Sequence, residues 1–521
     1  MTPTTASSPA AADFQSIPDM IRAHALAEPG RRALLEEQGG ATQALSYGEL
    51  DRLMDQVAVA LQRDGVQPGQ AIAVCASSSV LYAAVFLGAL RAWVVVAPLA
   101  PGSTPEALAR MIDDAGARLL FTDAAAAATV ADAGLGRVPR IALDGSPVGT
   151  PLAHWLAGAD ARPARVEIEP AWPFNIIYSS GTTGTPKGIV QSHGMRSAHV
   201  SRGAVYGYGP ESLTLLSTPL YSNTTLVVFF PTLAFGGSVF LMPKFDAAAY
   251  LRLAQQHRMS HTMLVPVQYQ RLMTRPDFDA HDLGATHMKF CTSAPFHAEL
   301  KADVLARWPG GLVEFYGMTE GGGTCILNAH LNPDKLHTVG QPAEGHDIRL
   351  IDDAGQEVPP GEAGEVVGHS AGMMTGYHGQ PEKTREAEWF APDGKRFIRT
   401  GDVGRFDAEG FLSLFDRKKD MIISGGFNIY PSDLEALLRS HPAVAEAAVV
   451  GMPSVEWGET PVAFVVLQPG VDVAAEALRQ WLNERVGKTQ RLAALHLINE
   501  LPRSAIGKVL KRELRDAYAA R

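Results

Sequence analysis

The sequence is poor in cysteine, in net basic charge and in long apolar runs, and each shortage excludes something. Its 521 residues include three cysteines, Cys75, Cys291 and Cys325, far apart and none in a CxxC pair. That argues against a disulfide framework or a cysteine-built zinc site, and predicts reduced thiols in a cytosolic, cytoplasmic protein. The net charge is −10, so the overall balance does not favour nucleic acid as a partner, although a locally basic pocket for a phosphorylated ligand stays open. The apolar run from 76 to 90 stops at Arg91. It is too short to cross a bilayer and reads as a buried helix, so no membrane is expected as a partner. The opening stretch MTPTTASSPAAADFQS lacks a basic leader and an apolar core. Residues 1–14 are expected to be a disordered tail, not a secretory signal.

What is present is apolar residue enough for a large core, 46% against 19% charged, in a chain long enough for more than one folding unit. In LSYGELDRLMDQVAVALQ, Ser46 and Glu49 make a capping-box pattern, and Leu50, Leu53, Met54, Val57 and Leu61 follow at helical spacing. AIAVCA (71–76), VVVAPL (94–99) and RLLFTD (118–123) read as strands separated by the helical stretches VLYAAVFLGALRA and PEALARMIDDAG. SVFLMP (238–243) and HTMLVP (261–266) flank a further helix, AAAYLRLAQQH. This alternation predicts an α/β fold, with a large N-terminal domain of mixed, mainly parallel sheets and flanking helices. Beyond about residue 340 the turn-rich text, IDDAGQEVPPGEAGEV and FDAEGFLSLFDRKKD, predicts short antiparallel strands, a β-rich subdomain. After Asp420 a small mobile α+β C-terminal domain is expected, with a helix capped by Ser432 and Glu435 and strands around AEAAVVGM and VAFVVLQP. The boundary is put in DRKKD, dividing the chain into 15–418 and 419–521. On its own that charged turn reads equally as a hinge or as an ordinary solvated turn.

One stretch stands out. YSSGTTGTPK (178–187) follows the apolar FNII and crowds glycine and hydroxyl residues ahead of Lys187. Glycines let backbone N–H groups converge on an anion, Ser and Thr add donors, and lysine adds a point charge. The spacing GTTGTPKG is not that of a Walker loop, which needs GxxxxGK[ST]. By composition alone, a phosphate cradle and a plain flexible loop are equally good readings.

The run resembles the phosphate-binding loop of the adenylate-forming superfamily, which contains acyl- and aryl-CoA synthetases, nonribosomal adenylation domains and luciferases. Further motifs stand in that family's order: YGMTE (316–320), the long stretch RTGDVGRFDAEGFLSLFDRKKDMIISGGFNIYPSDLE (399–435) and PRSAIGKVLKREL (502–514). The resemblance runs from about residue 40 to the end. It implies a reaction in two steps. A carboxylate attacks the α-phosphate of ATP to give an acyl-adenylate and pyrophosphate, and a thiol, usually of coenzyme A, then takes the acyl group.

The resemblance also implies roles. Ser179, Ser180, Gly181, Thr182, Thr183, Gly184 and Lys187 would wrap the β- and γ-phosphates. Tyr316 would stack on adenine, with Glu314 and the backbone at Ser293, Ala294 and Pro295 closing the base pocket. Thr319 would donate to the α-phosphate and Glu320 would hold Mg²⁺, a hard cation suited to carboxylate and phosphate oxygens. Asp402 would accept from the ribose hydroxyls, assisted by Arg417. Lys508 is the expected catalytic lysine of the adenylation step, where a fixed cation offsets the repulsion of two anions. It is also a residue that acylation would silence by removing its charge. Lys419 matches the family's pivot position, and Ser424, Gly425, Gly426 and Phe427 would line the pantetheine tunnel.

The acid pocket is expected from Tyr221, Ser222, Asn223 and Thr224, from Thr292, and from Gly317, Gly321 and Gly322. The sequence departs from the family here. Ser222 stands where an aromatic or histidine is common, and Thr292 where glycine is common. Thr292 should narrow the pocket, whereas Ser222 and the run from Gly321 to Gly323 should open it. Asn223, Thr224, Thr225 and Thr292 suggest a partly polar acid, or hydroxyls that serve backbone bonds instead. The leading expectation is an acid–CoA ligase for an aryl or small-to-medium acyl acid. The alternative is a stand-alone enzyme loading a carrier-protein phosphopantetheine; that no carrier segment follows residue 521 is read as favouring CoA. A nucleotide-binding protein without catalysis is disfavoured by Glu320, Asp402 and Lys508, and nothing points to light emission. A homodimer is the expected form if the protein self-associates.

Overall fold

A side-chain cap and an apolar stripe start the first long helix, Tyr47–Arg63. The Ser46 hydroxyl accepts from the Glu49 amide while the Glu49 carboxylate accepts from the Ser46 amide, closing the expected capping box. In this computed structural model, residues 14–519 are described apart from 137, 180–185, 419, 425–426, 456 and 505–506. Residues 1–13 of the tail expected at 1–14 and, among the site residues, Ser180, Gly181, Thr182, Thr183, Gly184, Lys419, Gly425 and Gly426 therefore lie outside the described residues.

Two large sheets carry most of the chain. A nine-stranded sheet has Leu213–Leu216, Ser238–Leu241, His261–Leu264, Met288–Cys291 and Gly311–Gly317 paired in parallel, with antiparallel strands at its edges. An eight-stranded sheet is built around Ala71–Cys75 and Val95–Leu99, both buried along their whole length. Strands covered on both faces read as unbroken apolar runs, which is why they were visible in the sequence. The helix Val80–Arg91 is apolar nearly all round because it packs between the sheets. It shares one core with Val74 and Val96 of the smaller sheet and with Leu216, Val239 and Phe290 of the larger.

The turn-rich region folds as antiparallel strands, Asp347–Ile351, Gly364–His369, Arg396–Phe406 and Leu412–Arg417. From Ile422 onward a separate five-stranded sheet forms, with its own apolar clusters. The capped helix expected at Ser432 begins earlier. It runs Pro431–Arg439, with Tyr430 in the cap position and no side-chain cap bond. Proline at the first helical position fixes φ for the turn, which moves Ser432 inside the helix. The Glu435 carboxylate instead accepts from the Val449 amide (2.8 Å) and pairs with Lys511 (2.9 Å). Cys75, Cys291 and Cys325 are free and buried. Among the described residues no helix is long and apolar enough to cross a membrane.

The glycine run after Glu320 departs from expectation. These glycines do not open a pocket; they let two backbone segments touch. Gly321 has φ +72°, and a methyl group there would lie 2.0 Å from the Gly372 carbonyl oxygen. From the other side, a methyl at Gly368 would lie 1.5 Å from the Gly322 carbonyl oxygen. Gly368→Ala should thus cost about 1–3 kcal/mol or more, as overpacking between rigid backbones does. Thermal unfolding checks this, with a clearly lowered Tm as the expected outcome.

Candidate active site

The hairpin that carries the glycine- and hydroxyl-rich loop is well defined at its base. Strand Pro173–Ser179 pairs antiparallel with Lys187–Ser192, and Ser179 stands opposite Lys187. A short strand from far down the chain, Gly376–Tyr377, adds to the edge of this hairpin with Tyr377 opposite Ile189. The Lys187 ammonium therefore sits over the Tyr377 ring, 4.9 Å from its centre. The Tyr377 hydroxyl donates to the Glu320 carboxylate at 2.9 Å. Burial and this carboxylate push the Tyr377 phenol up, so it remains a donor. The backbone is tied in the same place, with the Met374 amide donating to the Glu320 carbonyl (2.7 Å). The site thus joins Lys187, Tyr377 and Glu320, and Tyr377 was missed by sequence reasoning.

Beside it, Gly311–Gly317 presents Tyr316, whose hydroxyl donates to Asp402 (2.8 Å) and approaches Thr400 (3.3 Å). Asp402 and Arg417 are cross-strand partners in the antiparallel pair of Arg396–Phe406 and Leu412–Arg417, with an ion-pair distance of 3.3 Å. A cleft bordered by Thr400, Gly401, Arg417 and Lys418 opens at this point. Tyr316, Asp402 and Arg417, far apart in sequence, are brought together.

Glu314 is different. Its carboxylate is buried against the Lys301 ammonium, which also donates to the Leu336 and Thr338 carbonyls at 2.8 and 3.0 Å. A carboxylate already paired with a buried cation costs much to redirect, so only the backbone at Glu314 is left to border a ligand. Ser293, on the turn after Met288–Cys291, has φ +83°, a left-handed conformation uncommon outside glycine. Its hydroxyl meets that of Thr224 at 2.5 Å, which ties this turn to the start of helix Asn223–Ala234. Thr292 and Ala294 are half-buried and Pro295 is exposed on the same turn.

Around the expected acid pocket most hydroxyls are already engaged. Ser222 caps the helix Asn223–Ala234 by accepting from the Thr224 amide, so its small side chain closes the helix end and does not widen a pocket. Thr225 bonds to Thr218 (2.8 Å) and to the Pro219 carbonyl (2.7 Å). Tyr221 is half-buried, and burial raises its phenol. Gly317 is exposed at the end of its strand. The Thr319 carbonyl accepts from the Gln191 side-chain amide at 2.8 Å. Gln191 lies on the same strand as Lys187 and belongs to a buried polar network with Asn175 and Arg196. Polar residues inside the apolar runs FNII and GIVQ were the available signal for that network.

In the C-terminal sheet, Ser424 is buried at the end of Ile422–Ser424, while Phe427, beginning the paired strand, is exposed. The lysine loop is a tight turn. The Ser504 amide donates to the Lys508 carbonyl (2.8 Å), and the Ser504 hydroxyl accepts from the Lys508 amide (3.2 Å). Gly507 seats this turn on the large domain: a methyl there would lie 2.8 Å from Val267 and 3.3 Å from Val265, where helix Pro266–Met273 begins. A second contact joins Arg439 to His297 at 3.5 Å.

Residues 21–378 match the model of the AMP-binding enzyme family, and residues 433–508 match the AMP-binding enzyme C-terminal domain. The chain is 33% identical to a feruloyl-CoA synthase of an Amycolatopsis species, over 94% of this chain and 98% of that protein. It is 31% identical to the fatty acid–[acyl-carrier-protein] ligase ScoC of Streptomyces coeruleorubidus, over 97% of each. Among solved structures, ATP-bound MatB from Rhodopseudomonas palustris superposes with a TM-score of 0.86 at 28% identity, over 97% of this chain and 99% of that one.

Proposed function

The chain belongs to the AMP-binding, adenylate-forming enzyme family, and from that membership we propose that it is an ATP-dependent acid–CoA ligase acting on an aryl or small-to-medium acyl acid. The observation that carries the reading is the joining of Lys187 and Glu320 through Tyr377, next to the Tyr316–Asp402–Arg417 group. Such a site can hold a nucleotide from both ends. Asp402, an acceptor with two oxygens, suits the ribose hydroxyls. The Tyr316 ring, oriented by its bond to Asp402, suits the flat base. Lys187 contributes a fixed positive charge at the phosphate end, where negative charge grows as pyrophosphate departs.

In the first step the acid's carboxylate attacks the α-phosphorus, the bond to the bridging oxygen of pyrophosphate breaks, and acyl-adenylate forms. Thr319 and Lys508 would steady the α-phosphate, and Lys508 would also offset the approach of two anions. In the second step the CoA sulfur attacks the acyl carbon and AMP leaves. Rotation of the region from 419 onward about Lys419, bringing Ser424 and Phe427 to the acyl group, is part of this proposal. Among the described residues no three metal-ligating side chains cluster. Glu320, an oxygen donor of the kind a hard cation takes, would contribute to holding Mg²⁺. Bound there, Mg²⁺ would neutralise charge on the phosphates.

A relative named as a carrier-protein ligase supports a second reading, in which the accepting thiol is the phosphopantetheine of a partner protein. Acid-dependent exchange of labelled pyrophosphate into ATP tests the shared first step across an acid panel. Exchange with at least one acid is expected; none with any acid would refute the adenylating reading.

A further inference from the structure

A guanidinium sits inside the large domain with no counter-charge among the described residues. Arg196, on helix His193–Gly203, is fully buried against the touching rings of Phe174 and Phe230, 5.7 Å from each ring centre. Among the described residues no carboxylate lies within ion-pair reach of it. Burial pulls its pKa down with no opposing charge to raise it. Its donors go to neutral amide oxygens instead. Nε and Nη2 donate to Asn175 Oδ1 (3.2 and 3.0 Å), Nη2 also to Gln191 Oε1, and Nη1 to Asn223 Oδ1 (2.8 Å), with His199 Nδ1 further off at 3.4 Å.

A guanidinium can only donate. It therefore fixes which way each of the three amides is turned, oxygen inward and nitrogen outward. The Asn175 nitrogen is used, donating to Gln191 Oε1 at 3.1 Å. The Gln191 nitrogen is used, donating to the Thr319 carbonyl at 2.8 Å and more weakly to Asn223 Oδ1 at 3.4 Å. The Asn223 nitrogen alone has no acceptor among the described residues. Its neighbours in the expected acid pocket, Ser222, Thr224 and Thr225, have spent their hydroxyls on the helix cap, on Ser293 and on Thr218 and Pro219. One amide donor is left, half-buried, locked in direction and polarised by an adjacent buried cation.

We propose that Asn223 is the specificity-determining residue of the acid pocket, and that the acid carries, besides the reacting carboxylate, an oxygen that accepts a hydrogen bond from the Asn223 amide. Arg196 is the positioning residue that aims this donor. The inference rests on the acid–CoA ligase reading above and names the class of acid within it. A half-buried donor held in one direction favours an acid that offers it an oxygen over one that does not. An acceptor with anionic character gains most, because it also meets the uncompensated charge behind Asn223.

The test uses acids in pairs that differ by one oxygen function, 4-hydroxycinnamate with cinnamate and succinate with butyrate, and reads kcat/KM for AMP release. The wild-type chain should favour the oxygen-bearing member of at least one pair by about 10- to 100-fold, the range for a charge-assisted bond. Asn223→Asp keeps the shape, gives Arg196 a carboxylate and removes the outward donor. It should hold or raise Tm while the preference falls about tenfold or more. Arg196→Leu should lower the same preference, since the Asn223 amide is then free to turn, and Arg196→Lys should restore part of it. Loss of rate that is equal for both members of every pair in Asn223→Asp, or a wild type with no preference in any pair, would overturn the assignment. Absence of AMP release with every acid would instead strike the ligase reading, and this assignment would fall with it.

Discussion

Replacing Lys508 with alanine is expected to lower acyl-adenylate formation by about 10²- to 10³-fold, the usual loss when one preorganised charge is taken from a reacting centre. The acid and the α-phosphate are both anions, and a fixed cation between them lowers the barrier without reorganisation at the moment of reaction. The backbone of the lysine turn is held in a way that suits this proposed role. The Ser504 amide and hydroxyl brace Lys508, and Gly507 lies against Val265 and Val267 of the large domain. The loss should be confined to one step. Transfer of acyl from presynthesised acyl-adenylate to CoA should stay within a few-fold of wild type, because that chemistry uses no approach of two anions. Quenched-flow measurement of the two half-reactions separates them. Equal loss in both would mean that Lys508 matters for the packing of the two domains, not for adenylation.

The second large effect is expected at Asp402. Its carboxylate accepts from Tyr316 and pairs with Arg417, so Asp402→Ala removes the proposed ribose acceptor and releases the ring proposed to hold the base. The KM for ATP should rise by about 10- to 100-fold, the range for lost hydrogen bonds to a charged group. The maximal rate should change less, since binding of nucleotide is shared by ground and transition states. The Asp402 side chain is partly exposed and Tyr316 keeps Thr400 within reach, so Tm should move little. A kcat that collapses at unchanged KM would contradict the ribose role.

Much of the fold could be read because buried parallel strands and capped amphipathic helices write strong local patterns. Ala71–Cys75, Val95–Leu99 and the capping box at Ser46 lay where the sequence pointed. Errors arose where a local pattern competed with a neighbour or with distant chain. Ser432 looked like a cap but follows Pro431, which starts the helix. Gly321 to Gly323 looked like open space but admit the backbone at Gly368 and Gly372. Glu314 looked available but is paired with Lys301. Tyr377 could not be found at all, because only the pairing of Gly376–Tyr377 with Lys187–Ser192 brings it to Lys187 and Glu320. Arg196 was hidden for a similar reason: its partners Asn175, Gln191 and Asn223 come from two strands and a second helix.

Proposed roles for the small domain add a demand on the kinetics. If the region beyond 418 turns between steps, the lysine turn must leave Val265 and Val267 before Ser424 and Phe427 can approach the acyl group. Adenylation and thioester formation are then alternatives in time, and a variant can lose one and keep the other.

The most direct test of the account is to follow AMP and thioester together, by mass spectrometry, across a panel of aryl and short-to-medium acyl acids with ATP and Mg²⁺, with and without CoA. Sustained AMP release that depends on CoA, matched by an acyl-CoA of one or a few acids, is the predicted result. An adenylate that accumulates and that CoA does not discharge would contradict the assignment of CoA as the acceptor and pass that role to a carrier-protein thiol.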